Sequence, residues 1–211
     1  MKKHILLVDD HDVVRDGVKK ILDRQSDTFV FGEAGTVADA LKLVRAQQWD
    51  CAVVDLSIGA KSGLELIKDI RQIQPRLPVV VFTMHGEEQY ARRAFKAGVA
   101  GYLTKESPRE ELVRAIHKVM EGGRYVSAAL AERLVVDISK GGDASPHEAL
   151  SDREFEVLRL IGSGKTVGEI ASLLFLSDKT ISTYRSRILE KMDLRNNAEI
   201  TRYVVENRLS E

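Results

Sequence analysis

The chain has 211 residues, with 32 Lys and Arg against 32 Asp and Glu, 44% hydrophobic residues and one cysteine. That length suits one or two soluble globular domains, a single cysteine excludes an intramolecular disulfide, and the neutral balance neither demands nor excludes nucleic acid. No run reaches membrane-spanning length, and Met1-Lys2-Lys3 leads straight into a short strand without the apolar stretch of a signal peptide, so the expected location is cytoplasmic with no membrane partner.

Short apolar runs alternate with helical patterns along the first half. Strands are predicted near residues 4–8, 29–33, 51–55, 79–83 and 101–104, and helices near 12–24, 36–48, 62–74, 87–97 and 108–121. A fivefold βα alternation implies a parallel sheet with right-handed crossovers and helices on both faces. Pro75 and Pro78 bracket the loop before the fourth strand, Ala97-Gly98 closes a helix, and Pro108 stands at the start of the last one. The domain is expected to end near Tyr125.

Polar residues stand where these runs stop. Asp9 and Asp10 follow the first, Asp55 closes the third, Thr83 the fourth, and Lys105 follows the fifth. Ligands of a parallel sheet gather outside the carboxyl ends of the strands, where strand order reverses. If strands one and three are neighbours, as in the flavodoxin-like order 2-1-3-4-5, three carboxylates, a hydroxyl and an ammonium converge on one spot able to hold Mg²⁺ and a phosphoryl group. One Asp at a strand end is usually a turn residue, but three clustered acids are costly without a cation. His11 and His85 flank the spot as pocket walls, and Cys51 and Trp49 read as structural.

An amphipathic piece, Ala128 to Ile138, comes next, and then Ser139-Lys140-Gly141-Gly142-Asp143-Ala144-Ser145-Pro146, whose composition is that of a linker. From Leu150 onward the pattern is helical. Ser151 and Glu154 form a predicted capping box ahead of the apolar stripe Phe155, Leu158 and Ile161. A second helix is predicted from about Val167 to Leu174, the turn Phe175-Leu176-Ser177 follows, and further helices run from Asp178 to Met192 and near Ala198 to Asn207. Two helices joined by a three-residue turn suggest helix-turn-helix.

On a helical wheel, Ile181, Tyr184, Ile188 and Met192 fall on one side of the third helix. Lys179, Ser182, Thr183, Ser186 and Glu190 lie opposite, Arg187 and Lys191 sit toward one flank, and Arg185 is beside the apolar stripe. Small hydroxyls facing outward let a helix approach base edges, while flanking cations suit phosphates. The competing reading is an ordinary solvated helix face.

Leu6-Leu7-Val8-Asp9-Asp10-His11, the strand-terminal Asp55, Val80-Val81-Phe82-Thr83-Met84-His85 and Gly101-Tyr102-Leu103-Thr104-Lys105 resemble a two-component receiver domain. Leu150-Ser151-Asp152-Arg153-Glu154, Glu169-Ile170-Ala171 and Ser177-Asp178-Lys179-Thr180-Ile181 resemble a LuxR-type helix-turn-helix domain. Together they cover nearly the whole chain and are similar to the NarL/FixJ class of response regulators. The resemblance implies a receiver at 1–125, a linker with a helical segment at 126–147, and a DNA-binding domain at 148–211. It implies a phosphorylation-controlled transcriptional regulator, not an enzyme, whose partners are DNA, a sensor histidine kinase and a second copy of itself.

The resemblance also implies roles for single residues. Asp55 would be the phosphoacceptor. Asp9, Asp10, Asp55 and the Ser57 carbonyl would hold Mg²⁺, Asp9 largely through water. Lys105 would pair with the phosphoryl group, Thr83 would hydrogen-bond it, and Tyr102 would be the aromatic switch; plain packing is an equal reading of Tyr102. Lys179, Thr180, Ser182, Thr183, Arg185, Ser186, Arg187 and Lys191 would face DNA.

Two departures stand out: Gly59 occupies a position where the family commonly has proline, and Met84 one where many receivers have a small side chain. The chief rival is an enzyme, since Asp10-His11-Asp12 also fits the D-x-D signature of Mg²⁺-dependent haloacid-dehalogenase-like phosphatases. That reading leaves Asp55 and the carboxyl-terminal helices without a function. A third is a DNA-binding regulator that is never phosphorylated.

Overall fold

Strand β1 (Lys3–Val8) opens a five-stranded parallel sheet with β2 (Phe29–Ala34), β3 (Cys51–Val54), β4 (Val79–Thr83) and β5 (Gly101–Thr104), ordered β2-β1-β3-β4-β5. The computed structural model describes residues 2–24, 29–58, 61–128, 130–132, 145–207 and 209. The chain divides into two compact units, Met1–Val136 and Asp137–Glu211. Most of the linker and of the amphipathic piece expected between them lies outside the described residues, as does Gly59.

The run Ile5–Val8 of β1 and strands β3 and β4 are almost wholly apolar because both faces of the sheet are covered there. Alternation sends Ile5, Leu7, Cys51, Val53, Val80 and Leu103 into one core. There they meet Val18 and Leu22 of α1 (Asp12–Leu22) and Leu112, Ala115, Ile116 and Val119 of α5 (Arg109–Met120). The alternate residues Leu6, Val8, Ala52, Val54, Val81 and Tyr102 are also buried. The crossover helices are α2 (Val37–Ala46), α3 (Gly63–Ile73) and α4 (Glu87–Ala97), and α3 packs against both others.

Several helices begin one residue later than the apolar pattern suggests because the boundary residue is a cap. Thr36 accepts from Asp39 N, Ser62 accepts from Leu64 N, and Pro108 precedes α5. A two-stranded antiparallel ribbon pairs Ser57–Ile58 with Lys61–Ser62, where the sequence reads only as a loop.

The second unit is helical. A 3₁₀ turn (Pro146–Ala149) leads into α6 (Asp152–Gly162), α7 (Val167–Leu174), α8 (Asp178–Lys191) and α9 (Asn197–Glu206). The expected Ser151/Glu154 capping box forms, and Thr166/Glu169 makes a second one ahead of α7. Phe155, Leu158, Ile161, Ile170, Leu174, Ile181, Ile188, Ile200 and Val204 are buried. Gly162 is required where α6 meets α9, since a Cβ there would come within 2.4 Å of the Val204 side chain. Phe175 ends α7 in the left-handed region (φ 53°), turning the chain into α8. Among the described residues no helix is long and apolar enough to cross a membrane.

Candidate functional site

Parallel register brings the strand-end residues of the first unit together. Val8 pairs with Val54, and the ladder continues one step further, with Asp55 N donating to Val8 O at 2.9 Å and Asp9 N to Ala34 O at 3.1 Å. On the far side, Lys105 N donates to Thr83 O at 2.7 Å. Asp9, Asp55, Thr83 and Lys105 thus occupy one edge of the sheet.

The Lys105 ammonium lies 2.7 Å from Asp9 Oδ2 and 2.8 Å from Asp55 Oδ2. Both carboxylates are buried, at 5% and 3% exposure. Burial disfavours the ammonium, but its hydrogen bonds to Asp55 and then Asp9 outweigh that and hold the Lys105 pKa above the ordinary lysine value. Asp55 Oδ1 accepts from Ser57 N at 3.2 Å. Gly63 allows the chain to return beside the acid: a Cβ there would lie 2.5 Å from Asp55 O and from Leu56 Cα.

Asp10 is exposed at the mouth of the pocket, where its Oδ1 takes His11 Nδ1 at 2.7 Å. Asp9, Asp10 and His11 place one ligand atom each within 4.8 Å of the others. Two carboxylates share one close ammonium and a third, Asp10, stands beside Asp9, which leaves the pocket an anionic, oxygen-rich site of the kind that suits Mg²⁺.

Thr83 is fully buried, and Tyr102 points inward, its hydroxyl donating to His85 O at 3.0 Å. His85 does more than wall the pocket. Its Nε2 is 2.9 Å from Ser57 Oγ and its ring packs against Tyr90 with centroids 4.4 Å apart, tying the loop after β3 to α4. Met84 is 65% exposed. The sequence gives no sign of Arg15, whose guanidinium binds Asp9 O, Glu33 and Asp12. A charged residue on an amphipathic helix carries no local signal of a partner on another strand.

The second unit presents α8. Ile181, Ile188 and Met192 are buried, while Lys179, Ser182, Thr183, Ser186, Arg187, Glu190 and Lys191 are exposed, as the wheel predicts. Thr183 Oγ1 and Ser186 Oγ donate to the carbonyls of Lys179 and Ser182 at 2.9 and 3.0 Å, which leaves their lone pairs outward. Three of the proposed DNA residues also have work within the fold. Thr180 Oγ1 is 2.8 Å from the N-cap Ser177 Oγ, Arg185 Nε donates to Asn197 Oδ1 at 2.6 Å, and Lys191 Nζ donates to Glu154 Oε2 at 2.7 Å.

Residues 5–117 match the response regulator receiver domain and residues 148–204 match the bacterial regulatory proteins of the luxR family. The chain belongs to the NarL/FixJ class of response regulators. It is 34% identical to response regulator UvrY of Escherichia coli O6:H1 over 207 residues, covering 98% of this chain and 95% of that protein. It is 36% identical to response regulator GacA of Pseudomonas aeruginosa over 197 residues, 93% of this chain and 92% of that one. A solved structure of RcsB from Salmonella enterica serovar Typhimurium, bound to promoter P1flhDC in the presence of the phosphomimetic BeF₃⁻, is similar with a TM-score of 0.64 and 26% identity, covering 96% of this chain and 98% of that one. As a member of this class the chain is a phosphorylation-controlled, DNA-binding transcriptional regulator, and the phosphatase reading finds no support.

Proposed function

We propose that Asp55 is the phosphoacceptor of this regulator, charged in the cytoplasm by a sensor histidine kinase or a small phosphodonor, and that its acyl phosphate controls dimerisation and the binding of DNA through α8. Residues 1–125 would be the receiver, 126–147 the linker and 148–211 the DNA-binding domain. The observation that carries the reading is the Lys105 bridge between two buried carboxylates, Asp9 and Asp55, at the sheet edge.

An Asp55 carboxylate oxygen attacks phosphorus, a P–O bond forms, and the bond from phosphorus to the donor nitrogen or oxygen breaks with the electron pair leaving on the donor. Lys105 would move its hydrogen bonds from the carboxylates to the new phosphoryl oxygens. Thr83, buried at the end of β4, would offer its hydroxyl to that group, and Tyr102, whose hydroxyl donates to His85 O, would report the change to the surface around α4 and β5. Asp9, Asp10, Asp55 and the Ser57 carbonyl would hold Mg²⁺, which when bound neutralises charge on the phosphoryl oxygens.

In the second unit, Ser182, Thr183 and Ser186 would read bases, and Lys179, Arg187 and, in part, Arg185 and Lys191 would meet phosphates. Thr180 would act chiefly by capping α8. A promoter complex in the similar RcsB structure supports this use of the helical unit.

The test is labelling with acetyl phosphate and Mg²⁺. One stoichiometric, hydroxylamine-sensitive label is expected, absent from Asp55→Asn. Label persisting on that variant sinks the assignment, and continuous phosphate release from a generic phosphomonoester favours an enzyme instead.

A further inference from the structure

Asp9 is gripped on every side. Its amide donates to Ala34 O at 3.1 Å, its Oδ1 accepts from His11 N at 2.9 Å, and its Oδ2 meets Lys105 at 2.7 Å. Its carbonyl, which begins the peptide leading to Asp10, accepts from Arg15 Nη1 at 2.5 Å. The same guanidinium donates through Nε to Glu33 Oε2 at 3.1 Å and through Nη2 to Asp12 Oδ1. Glu33 is in turn held by Lys19 at 2.5 Å, and Lys19 by Asp16 at 2.9 Å. The Arg15 side chain is only 12% exposed, so this fork is packed rather than waving in solvent.

The arrangement joins three elements at the acidic end of the pocket: the end of β1, the end of β2 and the first turns of α1. Only a guanidinium can serve a carbonyl and two carboxylates at once from one rigid plane; an ammonium of equal charge is a single point. A carbonyl fixed in this way fixes the rotation of the peptide between Asp9 and Asp10, and that rotation sets the direction in which the Asp10 side chain leaves the backbone.

We infer that Arg15 is a positioning residue: its fork on Asp9 O, Glu33 and Asp12 holds the Asp9–Asp10 turn in the geometry that receives a divalent cation. The inference rests on the proposed Mg²⁺ pocket. Arg15 is a cation near an anionic site, so if charge were all that mattered its removal would tighten cation binding. If it positions the turn, its removal weakens binding despite the lost repulsion.

The experiment uses the full chain with Arg15→Met, Arg15→Lys and Lys19→Met. The last removes a cation that shares Glu33 but does not touch Asp9. Mg²⁺ is titrated against backbone amide shifts, and exchange of the Asp10 and His11 amides is measured without metal. Arg15→Met is expected to raise the Mg²⁺ Kd by about ten-fold, the low end for loss of a group that orients a metal ligand. Arg15→Lys should recover only part of that loss, and Lys19→Met should bind as wild type or slightly tighter. Exchange at His11 should quicken in Arg15→Met while core amides of β3 and β4 stay protected. Equal or tighter Mg²⁺ binding by Arg15→Met, or an equal loss in Lys19→Met, overturns the inference. A wild type that binds no Mg²⁺ defeats the pocket reading instead, and the metal-free exchange at His11 then decides the positioning role alone: faster supports it, unchanged overturns it.

Discussion

Lys191 Nζ lies 2.7 Å from Glu154 Oε2, so a cation of α8 secures the capping carboxylate of α6. The Glu154 side chain is 3% exposed and that of Lys191 40%. Lys191→Met is therefore expected to weaken the helical unit by about 1 kcal/mol, a charge-assisted bond discounted for the exposed end. Arg187→Ala should leave stability unchanged. Chemical denaturation with resonances of Ile188 and Val204 as probes separates the two; equal stability of both variants would remove Lys191 from the fold's supports.

Glu154 also sets an acid limit. Burial opposes its charge, but hydrogen bonds from Lys191 and the Ser151 amide outweigh it and hold its carboxyl below the ordinary value of 4.5. A carboxyl depressed on folding contributes stability above its unfolded pKa and loses it as pH falls through the folded one. The helical unit should therefore weaken as pH drops below about 4.5, and Glu154→Gln should flatten that decline. Parallel pH profiles for wild type and variant would contradict this.

For Lys105 the sign is opposite. Its pKa is raised above the ordinary 10.5, so its contribution is complete below 10.5 and is lost as pH climbs through the folded value. Lys105→Met should be less stable than wild type at neutral pH because Asp9 and Asp55 then face each other unrelieved. The gap should narrow in strong alkali. Urea midpoints from neutral to strongly alkaline pH measure it, and a gap that widens with pH would refute the account.

Gly63→Ala tests the approach of α3 to Asp55. With backbone atoms 2.5 Å from the new methyl, the chain must shift, at a cost of about 1–3 kcal/mol. Acetyl phosphate labelling of Asp55 should slow in proportion to its displacement. Normal labelling with normal stability would show that the ribbon adapts freely.

As the proposed recognition helix, α8 should divide by chemistry. Thr183 and Ser186 spend their protons on backbone carbonyls, so their outward oxygens can accept from the exocyclic amino groups of adenine or cytosine. Thr183→Ala or Ser186→Ala should change base preference in a selection from random DNA without changing salt dependence. Arg187→Ala should weaken all sequences and flatten the salt slope by about one unit. Unchanged slope would take Arg187 off the list of phosphate contacts.

What the sequence determined by itself was everything written in local periodicity and chemistry. Buried parallel strands are mostly apolar, caps are short polar residues, and a three-residue turn separates α7 from α8; each signal spans a few residues. The polar residues at strand ends were legible for the same reason, and the family resemblance supplied their neighbours in space. The ladder through Val8 and Val54 decided that Asp9 and Asp55 share one ammonium. Tertiary structure alone paired Arg15 with Glu33, 18 residues away, Ser57 with His85, 28 away, and Lys191 with Glu154, 37 away. Each stands at a position where many polar residues would satisfy the local pattern equally well, whether its side chain ends exposed, as Lys191 does, or buried, as Glu154 does. Which partner each one meets is set by how helices and strands pack, and that packing depends on the buried face of each element rather than on the residues that face outward.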